Sequence, residues 1–162
     1  MTISEYNQCV DAYSDGIYRF LLKSIRNVEL ARDIVQESFL KLWLKRKDVN
    51  YSKARSYLFT TAYHGMVDQT RKKSWGDQSV DDVTHYLETD TSHYSDIKEV
   101  LDRALEKLTP VQKSVVLLRD YEGYSYQEIG EITDLTESQV KVYIYRARMS
   151  LKKYLISVDM VL

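Results

Sequence analysis

The sequence holds one cysteine and one proline in 162 residues, and five glycines. A single thiol, Cys9, forms neither an internal disulfide nor a metal cluster by itself, so it reads as a small buried apolar residue in a reducing compartment. The scarcity of proline and glycine disfavours a turn-rich β architecture and favours long helices. No run approaches the roughly 20 apolar residues of a membrane span. The opening MTISEYNQCVDAYSD carries acids and no basic run, unlike a signal peptide. A soluble, cytoplasmic protein is expected.

A charge of one sign is also lacking, with a net of −1 over the whole chain. That balance hides a division. Residues 1–73 carry 13 Lys/Arg and 8 Asp/Glu, net +5. Residues 74–97 carry six acids and no Lys/Arg, and residues 98–162 carry ten of each. A basic block, an acidic bridge and a balanced block imply two small domains and a linker. The linker is rich in Ser, Thr and acids with no helical period. It is either a plain solvated tether or a segment that keeps phosphates away from basic faces.

What is present is helical periodicity. A first helix over about 3–25 has the stripe Val10, Ile17, Tyr18, Leu21 and Leu22. A second, over about 28–46, has Ala31, Val35, Phe39 and Leu42. A third, over about 53–73, follows Ser52 as its cap and carries Leu58, Ala62, Met66 and Val67. After the linker, a helix over about 95–108 carries Val100, Leu101, Ala104, Leu105 and Leu108. Three capping boxes then mark starts near 110, 126 and 137: Thr109 with Gln112, Ser125 with Glu128, and Thr136 with Gln139. Pro110 occupies the first helical position of its element. The expected fold is all-α: a three-helix bundle, an acidic linker and a four-helix domain.

The last two caps stand 11 residues apart, around a turn Thr133–Thr136. That spacing fits a helix-turn-helix. Gly130 is the small residue that lets the second helix cross closely, and Asp134 tolerates a left-handed backbone in the turn. In the second helix Val140, Ile144, Ala147 and Leu151 face a core, while Lys141, Val142, Tyr145, Arg146 and Met149 fall outside. Arg148, Lys152 and Lys153 add positive charge. Such a helix either enters a DNA major groove or is a solvated helix with cations toward its negative end. Cap, turn and two-faced helix together favour the groove.

In the basic domain Thr60, His64, Asp68 and Arg71 form one polar stripe on a helix rich in aromatics. That mixture suits single-stranded or melting DNA, because bases stack on rings while cations hold phosphates. His64 and Asp68 are too few for a metal site, and no nucleophile accompanies them. No cofactor, metal, catalytic centre or small-molecule substrate is expected. On the second helix Asp33, Gln36, Glu37, Leu40, Lys41 and Leu44 form an outer stripe with an apolar centre and a charged rim, as protein interfaces have. The alternative is a surface helix with two incidental leucines.

These segments resemble the extracytoplasmic-function (ECF) sigma factors of bacterial RNA polymerase. Ala31–Trp43 resembles region 2.2, with Asp, Gln-Glu, Phe and Trp at the family's separations. Asp68-x-x-Arg71-Lys72-Lys73 is similar to the end of region 2.4. Leu105–Gln112, Gly123–Ile129 and Val140–Leu151 resemble region 4. The resemblance implies sigma region 2 over 1–73, a linker over 74–97 and sigma region 4 over 98–162. It implies that Asp33, Gln36, Glu37, Leu40 and Lys41 dock on the β′ clamp helices of core polymerase. Asp48, Asn50, Tyr51, Thr60, His64, Asp68 and Arg71 would capture the melted −10 strand. Ser138, Lys141, Val142, Tyr145, Arg146 and Arg148 would bind the −35 duplex. The partners implied are core polymerase (β′ clamp helices and β flap), promoter DNA and an anti-sigma factor. The chain departs from the family at Tyr57 (commonly Trp), His64 (commonly Asn), Lys113 and Tyr143 (both commonly Arg), which bears on the bases read.

Overall fold

The structure is a computed structural model and describes residues 1–75 and 92–159. Every regular element among them is helical, and the chain divides into two compact units. The first is built on α1 (Ile3–Ile25), α2 (Val28–Leu44) and α3 (Ala54–Trp75). The second is built on α4 (Ser92–Glu106), α5 (Pro110–Val116), α6 (Tyr126–Thr133) and α7 (Glu137–Asp159).

In the first unit α1 opens with a capping box beyond the three expected from sequence. The Thr2 hydroxyl accepts from the Glu5 N–H at 3.1 Å, and the Thr2 N–H donates to the Glu5 carboxylate at 2.7 Å. α1 closes on Arg26 in the left-handed region (φ 54°), whose N–H bonds the Leu22 carbonyl. Asn27 then caps α2 by accepting from the Leu30 N–H at 3.0 Å. Local polar bonds thus set both ends of a two-residue connection.

The core joins Cys9, Ile17, Phe20 and Leu21 of α1 to Ala31, Ile34, Phe39 and Leu42 of α2 and to Leu58, Phe59, Ala62 and Met66 of α3. Cys9 is a buried free thiol, as expected. The α1 stripe itself is corrected. Val10, Tyr18 and Leu22 are only half-buried, and Cys9 and Phe20 take the core positions. The reason is that α1 packs against both α2 and α3, so its buried face is centred between two neighbours. The Phe20 and Phe59 rings meet there with centroids 5.8 Å apart. Val35 and Val67 are likewise not core: the first is half-buried and the second exposed. A 3₁₀ turn, Tyr51–Lys53, leads into α3, so Ser52 lies within that turn instead of capping the helix.

In the second unit all three expected capping boxes form. Thr109 and Gln112 exchange bonds of 3.2 and 3.3 Å, Ser125 and Glu128 bonds of 3.1 Å each, and Thr136 and Gln139 bonds of 2.9 and 3.1 Å. Beyond α5 the chain widens into a π-type turn, Leu117–Tyr121, closed by the Glu122 N–H on the Leu117 carbonyl at 3.1 Å. Gly123 follows at φ 76°, a backbone that favours glycine. Val115 to Leu118 are buried in succession, with Ala104, Leu105, Leu108, Ile129, Ile132, Val140, Ile144 and Ala147. Leu101 is exposed and Val100 and Leu151 are half-buried, so the expected stripes are narrower than drawn. Of the expected linker, 76–91 lie outside the described residues, and α4 begins at Ser92.

Candidate nucleic-acid interface

The helix-turn-helix is α6, a turn and α7. Asp134 adopts the left-handed backbone at φ 59°. At Gly130 a Cβ atom would stand 2.6 Å from the Leu135 carbonyl oxygen, and the Leu135 N–H donates to the Gly130 carbonyl at 3.0 Å. What crowds Gly130 is therefore the turn's own backbone, not the body of α7.

α7 divides as its pattern requires. Val140, Ile144 and Ala147 are buried, while Ser138, Lys141, Val142, Tyr145, Arg146 and Met149 are exposed. Tyr145, at 66% exposure, is the barest large hydrophobic side chain on this face. Ser138, Gln139, Val142, Tyr143 and Arg146 line one shallow concavity, which adds Tyr143 and Gln139 to the surface read from sequence. A helix presenting small, apolar and cationic side chains over its first three turns has the chemistry of base-edge and phosphate contacts.

One flank of α7 is built differently. Lys141 Nζ lies 3.5 Å from the Glu137 carboxylate and 5.7 Å from the centre of the Tyr126 ring. Arg119 lies over the same ring at 4.5 Å, and its Nη1 donates to the Tyr124 carbonyl at 2.9 Å. Arg148 Nη2 donates to Asp120 Oδ1 at 2.7 Å. That bond pushes the guanidinium further above its usual range. Asp120 and Arg148 are 28 residues apart, and no local pattern marks such a pair.

In the first unit Asp33, Gln36, Glu37, Leu40 and Lys41 are all exposed along α2. Leu40 is 55% and Leu44 71% exposed, and Glu37 pairs with Lys41 at 3.3 Å. Beneath this face Tyr6 donates to the Phe39 carbonyl at 3.0 Å, and its ring centroid lies 5.0 Å from that of Trp43. Arg46 stacks 4.0 Å from the Trp43 ring centre and donates to the Trp43 carbonyl at 3.0 Å, closing the last turn of α2. That turn feeds the segment with Asp48, Asn50 and Tyr51, all exposed. On α3 Asp68 and Arg71 are exposed with a closest approach of 4.0 Å, and Thr60 and His64 are half-buried. Tyr6, Trp43 and Arg46 were not among the sequence-derived site residues.

Comparison with known proteins bears on both units. Sigma-70 region 2 matches residues 9–76, and sigma-70 region 4 matches residues 98–151. The ECF RNA polymerase sigma factor SigM of Bacillus subtilis (strain 168) is 30% identical over 156 residues, spanning 94% of each chain. The chain belongs to the ECF family of RNA polymerase sigma factors. SigW of the same organism, another ECF sigma factor, is 29% identical over 90% of this chain and 86% of its own. Among solved structures, the sigma factor RpoE of Bartonella quintana, crystallised with the anti-sigma factor NepR, matches with a TM-score of 0.78. It is 22% identical and covers 94% of this chain and 98% of its own, a likeness of fold. CnrH, solved with the cytosolic domain of CnrY, matches with a TM-score of 0.69 at 19% identity, over 94% of this chain and 88% of its own. As an ECF sigma factor the chain directs RNA polymerase to promoters and is a non-catalytic initiation factor. No helix among the described residues is long and apolar enough to cross a membrane.

Proposed function

We propose that the two units divide promoter recognition between them. Residues 1–73 hold core polymerase and the −10 strand, residues 98–162 hold the −35 duplex, and the stretch between α3 and α4, within the expected linker 74–97, tethers them. The observation that carries this reading is α7: buried apolar residues behind, and Lys141, Val142, Tyr145 and Arg146 exposed in front, at the second helix of a helix-turn-helix. Ser138 joins that row one turn earlier. Arg148 sits on the flank, where it serves the same duplex.

The exposed Leu40, ringed by Asp33, Gln36, Glu37 and Lys41, is the surface for the β′ clamp helices, with a desolvated apolar centre and a polar rim. The β flap is the second polymerase contact. The segment with Asp48, Asn50 and Tyr51, together with Thr60, His64, Asp68 and Arg71, takes the melted −10 strand, using ring stacking and phosphate contacts. Two of the solved relatives are bound to NepR and to CnrY, which supports an anti-sigma factor as a further partner. A cytoplasmic location follows from work on polymerase and DNA.

The test is reconstitution with sigma-free bacterial core polymerase and transcription from a random promoter library. Specific starts sharing a −35 and a −10 pattern are expected. Failure of the folded protein to bind core would reject the proposal. Substituting Lys141 or Arg146 by Ala should weaken −35 recognition by about 1–3 kcal/mol for each base edge no longer read.

A further inference from the structure

The flank of α7 that carries Lys141 also carries Arg148, two helical turns on, because seven residues return a helix to nearly the same side. Both side chains meet groups outside α7, and Lys141 is also paired with Glu137 on α7 itself at 3.5 Å. Arg148 is bonded to Asp120 at 2.7 Å, and Lys141 rests 5.7 Å from the centre of the Tyr126 ring. Tyr126, half-buried at the start of α6, presents its ring to Lys141 and interacts electrostatically with Arg148. Arg119, pinned to the Tyr124 carbonyl, lies 4.5 Å from that ring's centre and limits where the ring can sit.

A lysine is a flexible point charge on a four-carbon stem, so its reach to a base edge depends on what restricts the stem. An aromatic face restricts it without neutralising it, because the attraction to a ring leaves the ammonium's positive charge and some of its donors available. A guanidinium already bonded to a carboxylate has fewer donors left for a base. We propose that Tyr126 and Arg148 are positioning residues: the Asp120–Arg148 pair and the Tyr126 ring fix where Lys141 stands, and so set discrimination among −35 sequences without reading a base themselves. This rests on the reading of α7 as the −35 helix.

The experiment measures transcription by the reconstituted holoenzyme from its selected promoter and from promoters altered only in the −35 box. The quantity is the ratio between them, for wild type, Tyr126→Leu, Tyr126→Phe, Lys141→Ala and the pair Tyr126→Leu with Lys141→Ala. Lys141→Ala should lower the ratio about tenfold. Tyr126→Leu should lower it about three- to fivefold, and Tyr126→Phe, which keeps the ring, should lose less. In the Lys141→Ala background Tyr126→Leu should do nothing further, since the residue it positions is gone. A loss that is equal in both backgrounds, or one that weakens every promoter alike with the ratio intact, overturns the proposal. A wild type whose ratio ignores the −35 box removes the α7 reading itself. Arg148→Lys, which keeps the charge but not the fork, should lower the ratio in the same direction as Tyr126→Leu.

Discussion

The two units achieve helicity by different means. The first uses three long helices, of 23, 17 and 22 residues, and its order comes from large side chains meeting across three surfaces. The second must hold helices of 7 and 8 residues, too short to persist on propagation alone. There the starts of α5, α6 and α7 are each fastened by a reciprocal pair of side-chain bonds, at Thr109, Ser125 and Thr136, where the first unit shows one such box, at Thr2. Long helices leave whole faces free for partners, as along α2. Short capped helices hold one presented helix, α7, at a defined angle.

The sharpest break in this comparison is in the first unit. Phe59→Ala should cost about 3–5 kcal/mol in chemical denaturation, because Phe59 is 1% exposed and packs on Phe20. An effect under 1 kcal/mol would mean that the bundle does not depend on that junction. In the second unit the largest effect should come from Gly130→Ala. Its Cβ meets a backbone carbonyl at 2.6 Å, which must shift, at about 1–3 kcal/mol and with loss of −35 recognition. Unchanged recognition would show that the turn has room to adjust.

Much of this architecture was legible because it is local. A capping box acts over three residues, so Thr109, Ser125 and Thr136 announced their helices directly. Asp134 was legible for the same reason: one residue's backbone preference decides it. The α1 stripe was misplaced because its burial depends on two partner helices at once, which brings Phe20 inward and leaves Tyr18 half-covered. The Tyr126 ring and the Asp120–Arg148 bond had no signature at all, since their partners come from different elements. The family resemblance supplied the roles of the α2 face and the −10 segment; charge and spacing alone left them as interface or surface.

Smaller effects refine the contrast. Thr136→Ala removes one cap and should cost about 1 kcal/mol, read as a lower thermal midpoint of the second unit. No change there would deny the caps their part. Leu40→Asp with Lys41→Glu should leave thermal unfolding within about 0.5 kcal/mol of wild type, since both side chains are exposed, while abolishing binding to core polymerase. Unfolding of that variant by circular dichroism would place Leu40 in the bundle's stability instead of at its interface.

The widened turn at Leu117–Tyr121 has a consequence for how this domain tolerates change in length. A π-type turn amounts to one residue inserted into an α-helix. Each residue of an α-helix advances the chain by about 100°. Deleting one residue there would therefore act as a rotation, turning the residues on either side of the cut against one another. Deleting the exposed Tyr121, for example, would leave the buried Leu117 and Leu118 in place while Asp120 and Arg119 fell out of phase with α7. The segment works as an angular adjustment, and a shortened variant would be expected to fold with its promoter grip misaligned.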